Sequence, residues 1–253
     1  SVTGVQTCAL PIYQVWSPGL GSRLRIPWHA EWTLSANWNH GFRLPTFADL
    51  FYQQYRVRGN PGLLPERSRQ YELALEVLTA GHLVRISHFS NRVQDLIIWR
   101  MGSFATFSPV NVDALLAGEE VEWTWMAMPR LQLSLAYAHL DSRNLSGERT
   151  TDGKQLPYRP EHTLKANLLW QWRAVSVEYN GRWAGKRYIT EANTVALDGF
   201  LLHDVTATTT VPALGLEHSF KVSCLNLSDT PYPLLENAPL PGREWRLSWQ
   251  LWF

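Results

Sequence analysis

GFRLPTFADLFYQQYRVRGNPGLLPERSRQYEL, residues Gly41 to Leu73, reads as the end of one strand, a long polar and aromatic loop, and the start of another strand. Just before it, Trp32, Leu34, Ala36 and Trp38 alternate with Thr33, Ser35, Asn37 and Asn39. That period of two predicts a strand with one apolar and one polar face. Pro45, Pro61 and Pro65, with Gly59 and Gly62, bar a continuous ladder or helix across the loop. After it, Tyr71, Leu73, Leu75 and Val77 alternate with Gln70, Glu72, Ala74 and Glu76. A strand that carries glutamates on one face and only apolar groups on the other lies between two different solvents.

The same pattern runs outward in both directions. Leu24, Ile26 and Trp28 predict a strand that turns at Pro27 to Ala30. The segment from His82 to about Arg100 loses its phase before Leu96, which predicts a bulge. A tight connection at Met101 to Ser103 leads into a segment from Phe104 to Met126, followed by a turn at Met128 to Arg130. Leu131, Leu133, Leu135 and Tyr137 give the cleanest alternation. Further strands are expected over Leu164 to Trp172, Val175 to Trp183, Leu201 to Val211, Leu216 to Leu227 and Trp245 to Phe253.

Composition narrows the class. The 253 residues carry a net charge of +1, which gives no electrostatic footprint for nucleic acid. Charged residues are only 18% while Trp reaches 13, and Trp favours sites that are apolar at one end and wet at the other. No apolar run approaches the roughly 18 residues of a membrane helix. Two cysteines, Cys8 and Cys224, make neither a disulfide framework nor a metal site. No charged segment followed by an apolar one marks a secretion signal.

Connections between the strands alternate long and short, as in a membrane barrel with surface loops at one end and tight turns at the other. The count is roughly 11 strands, enough for a small barrel or about half of a large one. We therefore expect an all-β, antiparallel transmembrane barrel with Trp and Tyr girdles. A soluble, Trp-rich carbohydrate-binding sandwich is the competing architecture, with the apolar face as its core.

Gly41-Phe42-Arg43-Leu44-Pro45-Thr46, Leu50-Phe51, Gly59-Asn60-Pro61-Gly62-Leu63-Leu64-Pro65-Glu66-Arg67-Ser68 and Tyr71-Glu72-Leu73 follow one another in order. Asn91 to Ile97, Asn111-Val112 with Gly118 to Glu122, Leu156 to Pro160, Asn226-Leu227-Ser228-Asp229 and Pro241-Gly242-Arg243 continue the series. In that order and spacing these motifs resemble the signature of the TonB-dependent outer-membrane receptors. Two departures stand out: extra residues between Asn111-Val112 and Gly118, and Ser228 where the family has Phe. The resemblance implies a barrel of about 22 strands plugged by a globular domain, with this chain forming the C-terminal portion and the plug absent. It also implies uptake of a ferric siderophore or cobalamin, energised by the TonB–ExbB–ExbD complex through the plug. Contact with outer-membrane lipid and lipopolysaccharide is implied too, as is insertion by machinery that reads Phe253. No cofactor is expected. Ser1 to Ile12 resemble translated sequencing-adapter sequence, so the domain is placed at 13–253 and the chain is expected to be a fragment. A complete small barrel, either porin or enzyme, stays open as an alternative.

Phe51, Tyr52, Tyr55, Arg56 and Arg58 are the candidate ligand residues, because aromatic rings and guanidinium groups on one loop suit an anionic or aromatic ligand. An ordinary surface loop is the competing reading. Glu119 and Glu120 are adjacent in a strand and point to opposite faces, which argues against shared acid–base catalysis. His82 and His88 have no metal-ligand spacing. Cys224 falls on the apolar parity, as a buried or lipid-facing thiol would. No nucleophile-elbow, zinc-protease or phosphate-loop motif is present.

Overall fold

The computed structural model describes residues 15–102, 105–213, 215–234, 238 and 240–252. The adapter-like segment 1–12 with Cys8, the turn and strand start at Ser103 and Phe104, and the terminal Phe253 lie outside them.

Among the described residues, fifteen strands and one short helix follow in chain order: β1 (Gly19–Pro27), β2 (Glu31–Arg43), α1 (Phe47–Phe51), β3 (Gln53–Gln54), β4 (Val57–Arg58), β5 (Glu66–Thr79), β6 (His82–Met101), β7 (Phe107–Met128), β8 (Leu131–Asn144), β9 (His162–Trp172), β10 (Val175–Ala184), β11 (Arg187–Tyr188), β12 (Ala196–Leu197), β13 (Phe200–Ala213), β14 (Leu216–Leu225) and β15 (Glu244–Trp252). Eleven long strands form a single antiparallel wall in the order β1-β2-β5-β6-β7-β8-β9-β10-β13-β14-β15. Every long strand pairs with the next long strand in sequence. Among the described residues β1 pairs only with β2 and β15 only with β14, so the wall has two free edges.

Register makes the two faces continuous. Leu34 lies opposite Leu75, Leu75 opposite Ile86, Ile86 opposite Val121 and Val121 opposite Tyr137. On the other face Thr33 meets Glu76, Glu76 meets Arg85, and Arg85 meets Glu122. Apolar side chains that stay exposed on a folded wall, such as Leu73, Ile86 and Trp170, belong to a lipid-facing surface rather than to a sandwich core. Aromatic pairs gather at the short-turn end. His82 stacks on Trp125 at 5.8 Å, Trp123 on Trp125 at 6.1 Å, Trp170 on Trp172 at 6.4 Å and Phe220 on Trp249 at 6.4 Å. They form one girdle of the band.

The expected bulge is present: the β6–β7 register shifts between Val93 and Leu96, where Asp95 sits at φ 59. β14 stops at Leu225 rather than Leu227, because Asn226 turns into the left-handed region at φ 49. The connection between β6 and β7 is short although it lies at the long-loop end. Those two strands, 20 and 22 residues long, instead rise past their neighbours as a tall hairpin.

Candidate functional site at the loop end of the wall

The loop after Gly41 is more ordered than its prolines and glycines imply. Thr46 caps α1: its hydroxyl accepts from the Asp49 N–H at 3.1 Å, while the Asp49 carboxylate accepts from the Thr46 N–H at 2.9 Å. This reciprocal pair is a capping box, and the spacing Thr46-x-x-Asp49 was available in the sequence as its signal. Leu50 and Leu63 bury against Ile97 of β6, and Phe51 packs on that cluster. Trp99 donates its indole N–H to the second Asp49 oxygen at 3.1 Å. Burial pushes the Asp49 carboxyl up. The bonds from Thr46 and Trp99 and the nearby Arg43 outweigh it and hold the group below its ordinary value.

The family-like motif residues act mainly as brackets. A Cβ on Gly59 would lie 2.7 Å from the backbone of Leu50 and Phe51, so only glycine lets the loop close over α1. The Asn60 amide donates to the Pro109 carbonyl at 3.2 Å. Asn111 clips Leu64 from both sides, accepting from its N–H at 2.9 Å and donating to its carbonyl at 3.0 Å. Glu66 accepts from Arg43 at 2.6 Å and from the Ile97 N–H at 2.9 Å. One face of the tall hairpin is thereby covered by residues 44–65.

Arg100 projects from the other face, since alternate residues of a strand point opposite ways. It grips Glu191 with two bonds of 2.8 and 2.7 Å and Glu148 with a third of 3.0 Å, so two separate loops meet on β6 at one guanidinium. Asn193 and Gln155 exchange two bonds of 2.8 Å and join the same loops again. Asp229 accepts from the Arg243 N–H at 2.7 Å, which brings the Asn226–Asp229 and Pro241–Arg243 motifs together.

The five candidate ligand residues do not form one surface. Phe51 is turned toward the Leu50–Leu63–Ile97 cluster. The Tyr52 hydroxyl bonds Gln54 within its own loop. Tyr55 is 86% exposed at the tip between β3 and β4, and the Arg56 guanidinium lies 5.3 Å from its ring centroid. Arg58 is exposed and pairs through its backbone with Gln53. The Arg56 carbonyl accepts from the Phe107 N–H at 2.7 Å and docks this tip on the tall hairpin.

Below the loops, on the polar face, a cleft of about 290 Å³ is lined by Arg43, Glu66, Asn91 and Arg159 among others. Burial pushes the Arg159 guanidinium down, with Glu66 acting against it. Arg43 and Arg159 come from two different motifs about 116 residues apart in the chain. Composition and spacing gave no sign that they meet here, and Arg100 with its two glutamates was also missed, because cross-strand register and loop docking are not written in a period of two. Glu119 and Glu120 do part to opposite faces, facing His139 and Ala138 respectively. Cys224 is buried, as its parity implied.

A model of the TonB dependent receptor-like β-barrel family matches residues 5–227, and the chain belongs to that family. Its wall is that of an outer-membrane barrel. The vitamin B12 transporter BtuB of Photobacterium profundum is 30% identical over 183 residues, which cover 70% of this chain and 29% of that protein. The chain thus spans under a third of that relative's length. Among solved structures, the ferric preacinetobactin receptor BauA from Acinetobacter baumannii superposes with a TM-score of 0.73 at 20% identity, covering 94% of this chain and 36% of that one. The copper transporter OprC gives 0.71 at 19% identity, covering 92% and 38%. At these identities the two structures establish the fold alone.

Proposed function

We propose that residues 13–253 are the C-terminal part of the barrel of an energised outer-membrane receptor, and that residues 1–12 are foreign to it. In this reading the two free edges of the wall pair with further strands of the receptor, because a bilayer does not tolerate an open row of N–H and C=O groups. A plug domain fills the polar side, couples to the TonB–ExbB–ExbD complex, and moves to open a path. The barrel supplies wall and loops and does no covalent chemistry.

The transported nutrient is cobalamin or a ferric siderophore. The observation that ranks cobalamin first is the 30% identity over 183 residues to a vitamin B12 transporter. In this reading Tyr55 and Arg56 touch the ligand; the exposure of Tyr55 at the tip and the Arg56 guanidinium against its ring support that choice among the five. The test is made on the complete receptor carrying this segment, purified in detergent and titrated with cyanocobalamin. Saturable binding that weakens about ten-fold in Tyr55→Ala supports both the ligand and the residue. Binding of ferric siderophores alone replaces cobalamin, and no binding of either class removes the reading.

The same reading gives a physical expectation for the isolated chain: it does not insert as a stable barrel. A heat-modifiable, detergent-folded monomer of residues 13–253 on a gel would overturn that expectation and favour a stand-alone barrel.

A further inference from the structure

Charge segregation by parity holds within the band and breaks at its upper rim. Leu131, Leu133, Leu135 and Tyr137 point to the lipid side of β8, and the next residue of that row is His139. Its register partner is His162, the first residue of β9, and on the other side it lies opposite Glu119 of β7. His139 is eight residues above Leu131, about 21 Å up a strand tilted by about 40°. That places it near the top of a band about 25 Å tall, on the outer wall and away from the polar side.

We propose that His139, Glu161 and His162 form an open two-histidine, one-carboxylate site for a divalent transition-metal ion on the outer wall of the barrel. The two rings stack with centroids 5.0 Å apart and planes 24° apart. Both Nε2 atoms face one carboxylate oxygen: His139 Nε2 is 3.7 Å from Glu161 Oε1 and His162 Nε2 is 3.9 Å from it. All three ligand atoms lie within 4.8 Å of one another. Tetrahedral coordination at about 2.0 Å per bond needs ligand atoms about 3.3 Å apart, so closing the set takes movements of about 1.5 Å at most.

The opposite ring nitrogens are already committed. His139 Nδ1 lies 2.8 Å from Glu119 Oε2, and His162 Nδ1 lies 2.9 Å from the Tyr137 hydroxyl. The tautomer that leaves each Nε2 bare puts the proton on Nδ1, where the carboxylate and the hydroxyl oxygen accept it. Glu119 is itself 3.1 Å from His88 Nδ1 on the next strand, so the orienting carboxylate is held from both sides. Imidazole pairs with a carboxylate suit Zn²⁺ or Cu²⁺ rather than the oxygen-seeking Mg²⁺ and Ca²⁺. Three protein ligands leave a position for water or for a phosphate oxygen of the headgroup layer.

A rim of plain ion pairs would orient the same side chains without binding metal, and spectroscopy separates the two. The probe is Cu²⁺ added to the chelator-treated complete receptor in detergent, folding being verified for every variant by its heat-modifiable gel band. The expected result is one tight equivalent per barrel, with electron paramagnetic resonance splitting from two imidazole nitrogens. His162→Gln removes one nitrogen from that splitting. Glu161→Gln lies outside the strands, leaves the wall intact and weakens binding, while Glu119→Gln weakens it about ten- to a hundred-fold by releasing the His139 ring. His40→Gln changes nothing. A folded receptor that takes up no tight Cu²⁺, or whose two-nitrogen signal survives His162→Gln, overturns the site.

Discussion

Two regions of the same wall hold together by opposite means. In the band, register runs unbroken across ten strand pairings apart from shifts in the β6–β7 and β7–β8 pairs, and the same polarity recurs on each face. No single side chain there is indispensable, because neighbours on both sides repeat its role. At the mouth, few atoms carry the order: one guanidinium ties two loops to β6, one asparagine clips Leu64, one glycine makes room over α1. The band is specified by a repeated pattern and the mouth by individual contacts. A substitution in the band is therefore judged by the face it lands on, and one at the mouth by the bond it removes.

The largest test of that contrast uses two adjacent residues. Leu168→Arg puts a charge on the lipid side and is expected to destabilise the folded receptor by about 2–4 kcal/mol, whereas Asn167→Arg, one residue away on the polar side, changes it by under ~0.5 kcal/mol. Urea unfolding in lipid vesicles measures both, and equal effects would break the contrast. At the mouth, Gly59→Ala forces α1 off its seat and costs about 1–3 kcal/mol, read as faster proteolytic nicking of residues 44–65 with the band's unfolding midpoint unchanged. Arg100→Ala leaves Glu148 and Glu191 without their partner and loosens both loops by about 1–2 kcal/mol, seen as faster hydrogen exchange at 145–161 and 185–199 together. Exchange that rises in one loop alone would show that the guanidinium does not join them.

The smallest expected effect depends on pH. Asp49 has a depressed folded value, so its contribution is full above its ordinary value near 3.8 and is lost as pH falls through the lower folded value. Pepsin, active in that range, is expected to cut near Leu50 and Phe51 increasingly as pH falls below about 4. Asp49→Asn is expected to be cut at all these pH values with little pH dependence of loop opening.

What the sequence disclosed follows the same division. Strand faces, the bulge before Leu96 and the parity of Cys224 were legible because each is a matter of local periodicity. The capping box at Thr46 and Asp49 was also local, yet the surrounding prolines and glycines masked it as featureless loop. Phe51 and Arg58 were grouped with Tyr55 and Arg56 by composition. Which of them faces the Ile97 cluster depends on a hairpin some 40 residues downstream. His139 and His162 are far apart in the chain, and only the β8–β9 register sets their rings against each other. Pattern reveals which face a residue is on, but not which residue it will stand beside.

The simple strand order has a kinetic consequence. Because the long strands pair with one another only as sequence neighbours, the wall can grow hairpin by hairpin, with loop contacts such as β4 on β7 added afterwards. Each completed hairpin also offers the next strand a template edge. In the receptor proposed above, the slow, improbable encounter is deferred to ring closure at β15, while β1 pairs with the strand before it. Until then the growing sheet carries two sticky borders that a membrane penalises and that other chains could capture.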